Sequence, residues 1–300
     1  MTSQALDLRG IFPPLTTPFT PRERVDLHGI EANIRKYNAL GLAGYVVCGS
    51  TGESVHLRAK ETLAVLDAAH AAASPEKILI AGTGCESTRE TIELTGRAAV
   101  IGYHAALVRT PAYYKPMMTP PALERHYRAV ADASPIPILI YSVPQFTGLA
   151  VDAPLVARLS GHPNIMGLKE SSGDLQLLGE ILKAVPSSFA VFCGSATALL
   201  PSLVLGARGG ILAAACVIPE MCLEVYEAFA AGDQERARAA QQHLDEPATA
   251  VTRRFGIAGL KYAMGLRGYA GGPARPPLEP LTDEARAELR RIFDATPASH

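Results

Sequence analysis

The sequence carries no excess of either charge: 28 Lys and Arg stand against 29 Asp and Glu, a formal net charge of −1 at pH 7. Such a chain has no net field to draw in nucleic acid or an anionic membrane surface, so neither is expected as a partner. Long apolar runs are missing too. None approaches the roughly 18 residues of a membrane-spanning helix, although 48% of the chain is hydrophobic, enough for a large core. The five cysteines, Cys48, Cys85, Cys193, Cys216 and Cys222, are odd in number, widely spaced and without a Cys-x-x-Cys pair. Most sit in apolar stretches, which suits reduced thiols in a cytoplasmic protein rather than a disulfide framework. The opening MTSQALDLRG lacks a charged region followed by an apolar one, so no secretion or import signal is expected.

Several chemistries lack their motifs. The eight histidines show no His-x-x-x-His pair, and no carboxylates cluster at ligand spacing, so no metal is expected. There is no Gly-x-Gly-x-x-Gly for a dinucleotide, no Walker loop and no Gly-x-Ser-x-Gly elbow for a serine nucleophile. No resident cofactor is expected.

What the chain does have is alternation. Short apolar runs at residues 11–19, 44–49, 78–82, 105–110, 138–143, 165–169, 190–194 and 210–215 are separated by amphipathic stretches. Asp26, for example, precedes the stripe Ile30, Ile34, Tyr37, and Thr119-Pro120-Pro121 precedes Leu123, Tyr127, Val130. Eight strand-helix units of about 25 residues each predict an α/β fold, a (β/α)8 TIM barrel, rather than an open doubly wound sheet. Residues 1–218 would form this catalytic barrel. Residues 219–300, with helix signals at 219–231, 234–250, 256–266 and 283–293, would form a C-terminal helical extension packed on it, since no linker marks a second domain.

Barrel enzymes place their chemistry at the C-terminal ends of the strands. Three predicted ends are polar: Gly49-Ser50-Thr51-Gly52-Glu53-Ser54, Tyr141-Ser142 and Lys169-Glu170-Ser171-Ser172. Period-two alternation places Ile165, Gly167 and Lys169 on one face, the barrel interior, with the small Gly167 leaving room for a substrate. A neutral lysine amine there can attack a ketone and form a Schiff base, whereas an ordinary strand-end lysine would pair with Glu170 or meet solvent. Ser50, Thr51 and the N–H groups around Gly52 could grip a carboxylate or phosphate, or simply cap the next helix. Tyr141, one strand earlier, could relay protons, as could Tyr113 or Tyr114 in the loop after the fourth strand. Each of these tyrosines could equally be a packing residue.

These three blocks resemble the signatures of the dihydrodipicolinate synthase and N-acetylneuraminate lyase superfamily. The similarity runs from Gly10-Ile11-Phe12-Pro13-Pro14 to Gly272-Pro273-Ala274-Arg275-Pro276-Pro277-Leu278. The resemblance implies a class I aldolase in which Lys169 forms an imine with pyruvate or a related 2-oxo acid. Ser50, Thr51 and Gly52 would hold the carboxylate, with the Ile211 carbonyl nearby. Tyr141 would be the general acid/base, joined by Ser50 and by Tyr113 from a neighbouring subunit in a proton relay. The partners would be a small 2-oxo acid and an aldehyde, and the assembly a homotetramer built as a dimer of dimers.

The chain departs from the family's synthases where they carry an arginine for the aspartate-semialdehyde carboxylate: here Pro144-Gln145-Phe146 brings Phe146. Ser50 replaces a more usual threonine. Gly84-Cys85-Glu86-Ser87-Thr88, Tyr141-Ser142-Val143-Pro144 and Val251-Thr252-Arg253-Arg254-Phe255-Gly256 look closer to the 4-hydroxy-2-oxoglutarate aldolase branch, although Thr51 stands where that branch often has Asn. The expected reaction is the reversible cleavage of 4-hydroxy-2-oxoglutarate to pyruvate and glyoxylate. The alternatives are a 4-hydroxy-tetrahydrodipicolinate synthase, with Lys115 as a substitute cation, and a 2-oxo-acid-binding protein without turnover.

Overall fold

Asp26 accepts the Gly29 N–H at 3.1 Å and opens helix α1 (Leu27–Asn38), which buries Ile30, Ile34 and Tyr37 as the stripe predicts. In the structure, a computed structural model that describes residues 6–296, such helices alternate with parallel strands. The strands are β1 (Gly10–Phe12), β2 (Gly44–Val47), β3 (Ile78–Gly82), β4 (Ala105–Arg109), β5 (Ile138–Ser142), β6 (Ile165–Glu170), β7 (Ala190–Cys193) and β8 (Gly209–Ile211). Helices α2 (Ala59–Ala72), α3 (Thr88–Ile101), α4 (Pro120–Ala133), α5 (Pro144–Thr147), α6 (Ala153–Ser160), α7 (Leu175–Ala184) and α8 (Leu199–Leu205) connect the later strands. After β8 come α9 (Pro219–Ala230), α10 (Gln234–Thr249), α11 (Gly256–Leu266) and α12 (Asp283–Ala295).

The sheet runs β1-β8-β7-β6-β5-β4-β3-β2. It closes between β1 and β2 through N–H groups of Ala43 and Val46 donating to the carbonyls of Ile11 and Pro13 at 3.0 and 3.1 Å. This is the expected (β/α)8 TIM barrel. Two strands are shorter than their apolar runs. Pro13 and Pro14 have no N–H to give a ladder, so β1 ends at Phe12, and after Ile211 the chain tightens into a helical turn, Ala213–Cys216.

Alternation sorts the side chains. Phe12, Val46, Leu107, Leu139, Tyr141 and Phe192 fill the barrel, while Ala106, Val108, Ile140, Leu168 and Val191 face the helices. The β5–β6 register slips where Ile138 opposes Ile165 but the next residue, Leu139, opposes Gly167. A bulge of one residue reverses the faces beyond it. Ile165 therefore joins the outer layer with Leu168, not the face of Lys169 as simple alternation predicted. Gly167 has another reason to be small: a Cβ there would lie 2.3 Å from the Ala190 carbonyl oxygen, so the glycine admits β7 rather than making room for a substrate.

The C-terminal helices share a buried cluster with the barrel, in which Leu244, Leu260, Met264 and Phe293 pack with Ile11, Leu15 and Val47. One buried polar knot crosses the same boundary. Lys261 on α11 and Glu53 after β2, each with 1% of its side chain exposed, form an ion pair. The Lys261 Nζ also donates to the Pro273 carbonyl at 2.8 Å and lies 4.3 Å from the centre of the Phe19 ring. The Arg275 N–H donates to Glu53 Oε2 at 2.9 Å, and its guanidinium grips both oxygens of Glu61 at 2.8 and 2.9 Å. Burial pulls the Lys261 ammonium below its ordinary value, with Glu53 opposing the shift.

Removing one member of a buried ion pair strands the other, at a cost of about 3–5 kcal/mol. Lys261→Met should accordingly lower the stability by about 3 kcal/mol or more in denaturant titrations. Adding Glu53→Gln should recover part of that loss, and strict additivity of the two substitutions would contradict the coupling. The pH dependence has a defined sign. Arg275 holds the Glu61 carboxyl down from 4.5 to about 2. A carboxyl lower in the folded than in the unfolded chain stabilises above its unfolded value and loses that contribution as the pH falls toward its folded value. Between about pH 4.5 and 2, Glu61→Gln should therefore show a shallower loss of stability than the parent protein, and an identical slope would remove Glu61 from the account.

Candidate active site

The chain leaves β2 through a tight loop in which two non-glycine residues, Cys48 and Glu53, take left-handed φ values of 59° and 53°. Such strain persists only when the surroundings fix it, and the ion pair on Glu53 does so. Gly52 is required by close approach: a Cβ there would lie 2.9 Å from the Leu15 carbonyl oxygen. Its own carbonyl accepts the Thr17 hydroxyl at 2.7 Å. The loop thus presents Ser50, half-buried, and Thr51, buried, at the C-terminal mouth of the barrel.

Tyr141 reaches this loop from the end of β5, and its hydroxyl donates to Ser50 Oγ at 3.3 Å. Lys169 sits directly opposite Tyr141 in the β5–β6 register, with its Nζ 4.4 Å from the centre of the tyrosine ring. Both are 5% exposed. Glu170, the next residue, belongs to the opposite face of the strand. It accepts the Ser172 N–H at 2.9 Å, and burial pushes its carboxyl up. The pairing of Lys169 with Glu170 that the sequence left open is not among the ion pairs of the described residues. Ile211, fully buried at the end of β8, packs in the interior cluster with Tyr141.

The remaining candidates stand apart. Tyr113 is 80% exposed and meets Tyr114 edge-on, with ring centres 5.1 Å apart. Among the described residues its hydroxyl does not join Ser50 and Tyr141. Its loop is nevertheless pinned: Glu86 Oε2 accepts the N–H groups of Ala112 and Tyr113 at 2.8 and 2.9 Å, and Glu86 Oε1 accepts Arg109 Nη1 at 2.7 Å. Burial pushes the Glu86 carboxyl up, but these donors outweigh it and hold the group below its ordinary value. Phe146, on α5, is 69% exposed, and the Lys115 ammonium packs on Gly148 at the end of the same helix. The thiols are poor nucleophiles, since burial raises Cys48 and Cys216 to about 12 and Cys85 to about 11.

Arg109 escaped the sequence argument, although its signal was the same as that of Lys169: a charged residue ending an apolar strand. Ala105 and Leu107 face the interior, and two residues further Arg109 pairs with Tyr141 in the β4–β5 register. It lines a small cavity together with Ser50, Leu107 and Tyr141.

Residues 7–296 match the Dihydrodipicolinate synthetase family. The chain is 37% identical to a 4-hydroxy-tetrahydrodipicolinate synthase of Methanothrix thermoacetophila, over 95% of this chain and 96% of that protein. It is 38% identical to a probable mitochondrial 4-hydroxy-2-oxoglutarate aldolase of Emericella nidulans, over 95% of this chain and 93% of the relative. In three dimensions it resembles a dihydrodipicolinate synthase of Acinetobacter baumannii complexed with pyruvate, with a TM-score of 0.93, 30% identity and coverage of 98% of this chain and 100% of that one. A barrel with Tyr141 and Lys169 side by side at its mouth and a family match from end to end leave one conclusion: the chain belongs to the dihydrodipicolinate synthetase family of lyases.

Proposed function

We propose that the protein is a class I aldolase that reversibly cleaves 4-hydroxy-2-oxoglutarate to pyruvate and glyoxylate. The observation that carries the chemistry is the line of Lys169, Tyr141 and Ser50, with the amine against the phenol ring and the phenol hydroxyl bonded to the serine. The amine nitrogen of Lys169 attacks the C2 ketone, and loss of water from the carbinolamine gives an imine. Tyr141 takes the proton of the C4 hydroxyl while the C3–C4 bond breaks, its electron pair flowing into the imine to give an enamine. Glyoxylate leaves, the enamine is protonated at C3, and water releases pyruvate from Lys169. Ser50, Thr51 and the Gly52 N–H hold the C1 carboxylate, and the Ile211 carbonyl borders the reacting carbon.

The substrate assignment draws support from Phe146, which cannot bind a carboxylate, and from the similarity to the Emericella aldolase. A second reaction, condensation of pyruvate with aspartate semialdehyde, is favoured by the names of relatives such as the Methanothrix synthase. Tyr113, exposed with Tyr114 and Met117 in one loop, would complete the relay in a neighbouring subunit of a homotetramer. The enzyme would work in the cytoplasm, where its five free thiols stay reduced.

Borohydride with pyruvate should fix a stable mass on the Lys169 peptide alone, and labelling of Lys169→Ala at equal stoichiometry would refute the nucleophile. Tyr141→Phe should reduce kcat by about 10² to 10⁴ with the stability little changed; undiminished turnover would make Tyr141 a packing residue. Mixed Tyr113→Phe and Lys169→Ala subunits should regain activity on exchange if the site is shared. Steady-state assays of both reactions on one preparation decide the substrate. The proposal expects the higher kcat/KM for 4-hydroxy-2-oxoglutarate cleavage, and a preference for aspartate semialdehyde would replace it with the synthase.

A further inference from the structure

Both candidate reactions use a co-substrate with a second carboxylate, and Phe146 leaves that group without the cation expected at the mouth. The two carboxylates differ in position. In glyoxylate the carboxylate is bonded directly to the aldehyde carbon. After aldol addition it therefore sits on the carbon whose hydroxyl faces Tyr141. In aspartate semialdehyde two further carbons intervene, which carries the carboxylate outward toward α5. A deep cation beside Tyr141 would read the first, and a cation at the rim the second.

Arg109 is a partly buried cation at the level of Tyr141. It neighbours Tyr141 across the β4–β5 ladder, and neighbouring strands lie only about 4.8 Å apart, well within the reach of an arginine side chain. Its side chain is 18% exposed, and it lies between a water-sized cleft shared with Ser50 and Tyr141 and a wider open groove lined by Ser54, Glu86 and Arg97. One edge of the guanidinium is anchored, with Nη1 donating to Glu86 Oε1 at 2.7 Å and to the Thr110 carbonyl at 3.3 Å. Among the described residues Nε and Nη2 donate to no group, so a planar fork is held in place with donors to spare. A pre-positioned fork of this kind binds a carboxylate through paired charge-assisted hydrogen bonds at little further entropic cost.

We infer that Arg109, held by Glu86, binds the second carboxylate of the substrate and selects an acceptor whose carboxylate adjoins the aldehyde carbon. This rests on the aldolase assignment for its catalytic meaning, but binding tests it separately. The first arm compares kcat/KM for 4-hydroxy-2-oxoglutarate with that for 4-hydroxy-2-oxopentanoate, in which a methyl group replaces the second carboxylate. Arg109→Gln should shrink this ratio by roughly 10²-fold, the effect of removing one partner of a desolvated charge pair, and Arg109→Lys should shrink it less. The second arm needs no turnover. 2-Oxoglutarate and 2-oxopentanoate compete with pyruvate for borohydride trapping on Lys169, and the parent protein should favour 2-oxoglutarate while Arg109→Gln does not.

A parent protein without this preference would overturn the inference, as would an unchanged ratio in Arg109→Gln. So would loss of the preference on Lys115→Gln instead, which would move the carboxylate to the rim. Selective 2-oxoglutarate binding that depends on Arg109, in an enzyme that does not cleave 4-hydroxy-2-oxoglutarate, would support the role of Arg109 and refute the proposed reaction.

Discussion

The buried ion pair between Glu53 and Lys261 is the constraint on which the mouth of the barrel depends. Glu53 ends the loop that carries Ser50 and Thr51 and takes a left-handed conformation that costs about 1–3 kcal/mol in a residue with a side chain. The conformation is held from outside the loop, by an ammonium on α11 and by the backbone N–H of Arg275. A buried pair is weak support for net stability, because desolvating both charges offsets most of their attraction. Its effect here is geometric. With carboxylate and ammonium both withdrawn from water, any displacement of the loop would leave a bare charge, so the C-terminal helices hold the loop in one position.

The other side of the mouth is fixed by register. Tyr141 and Lys169 are opposed in the β5–β6 ladder, and the bulge at the start of β6 determines that they share the inner face. Without that extra residue the strand would turn Lys169 to the helices and Leu168 inward. The same ladder logic extends to β4, where Arg109 opposes Tyr141. Three consecutive strands therefore place Arg109, Tyr141 and Lys169 at one level of the ladder, while Ser50 approaches from β2.

Much of this was legible in the chain. Eight apolar runs at regular spacing named the barrel, and polar strand ends picked out Ser50, Thr51, Tyr141 and Lys169, since a parallel sheet buried on both faces exposes polar groups only at its ends. What stayed hidden was long-range or one residue wide. Nothing local in Glu53 points to Lys261, 208 residues away. The bulge follows from how β6 must sit against β5, so period-two counting misplaced Ile165. Gly167 looked like space for a ligand because sequence shows that a residue is small but not which neighbour demands it. Arg109 carries the same local signal as Lys169, a charge two positions beyond an inward-facing residue, here Leu107, at the end of an apolar strand.

These features bear on how one barrel mouth could distinguish two similar acceptors. In the proposed mechanism, lysine, phenol and serine would act on atoms that both reactions share, the C2 carbonyl and the new C4 hydroxyl, and so would confer reactivity without choice. Choice must come from groups that meet atoms present in only one acceptor. The rim residue Phe146 offers no donor, and the Lys115 side chain lies over Gly148 at the end of α5. That leaves the level of Tyr141, where Arg109 stands with Glu86 behind it. If Arg109 acts as proposed, the discriminating charge would lie at the level of the bond being broken, and an acceptor with its carboxylate one bond from that centre would be the one favoured.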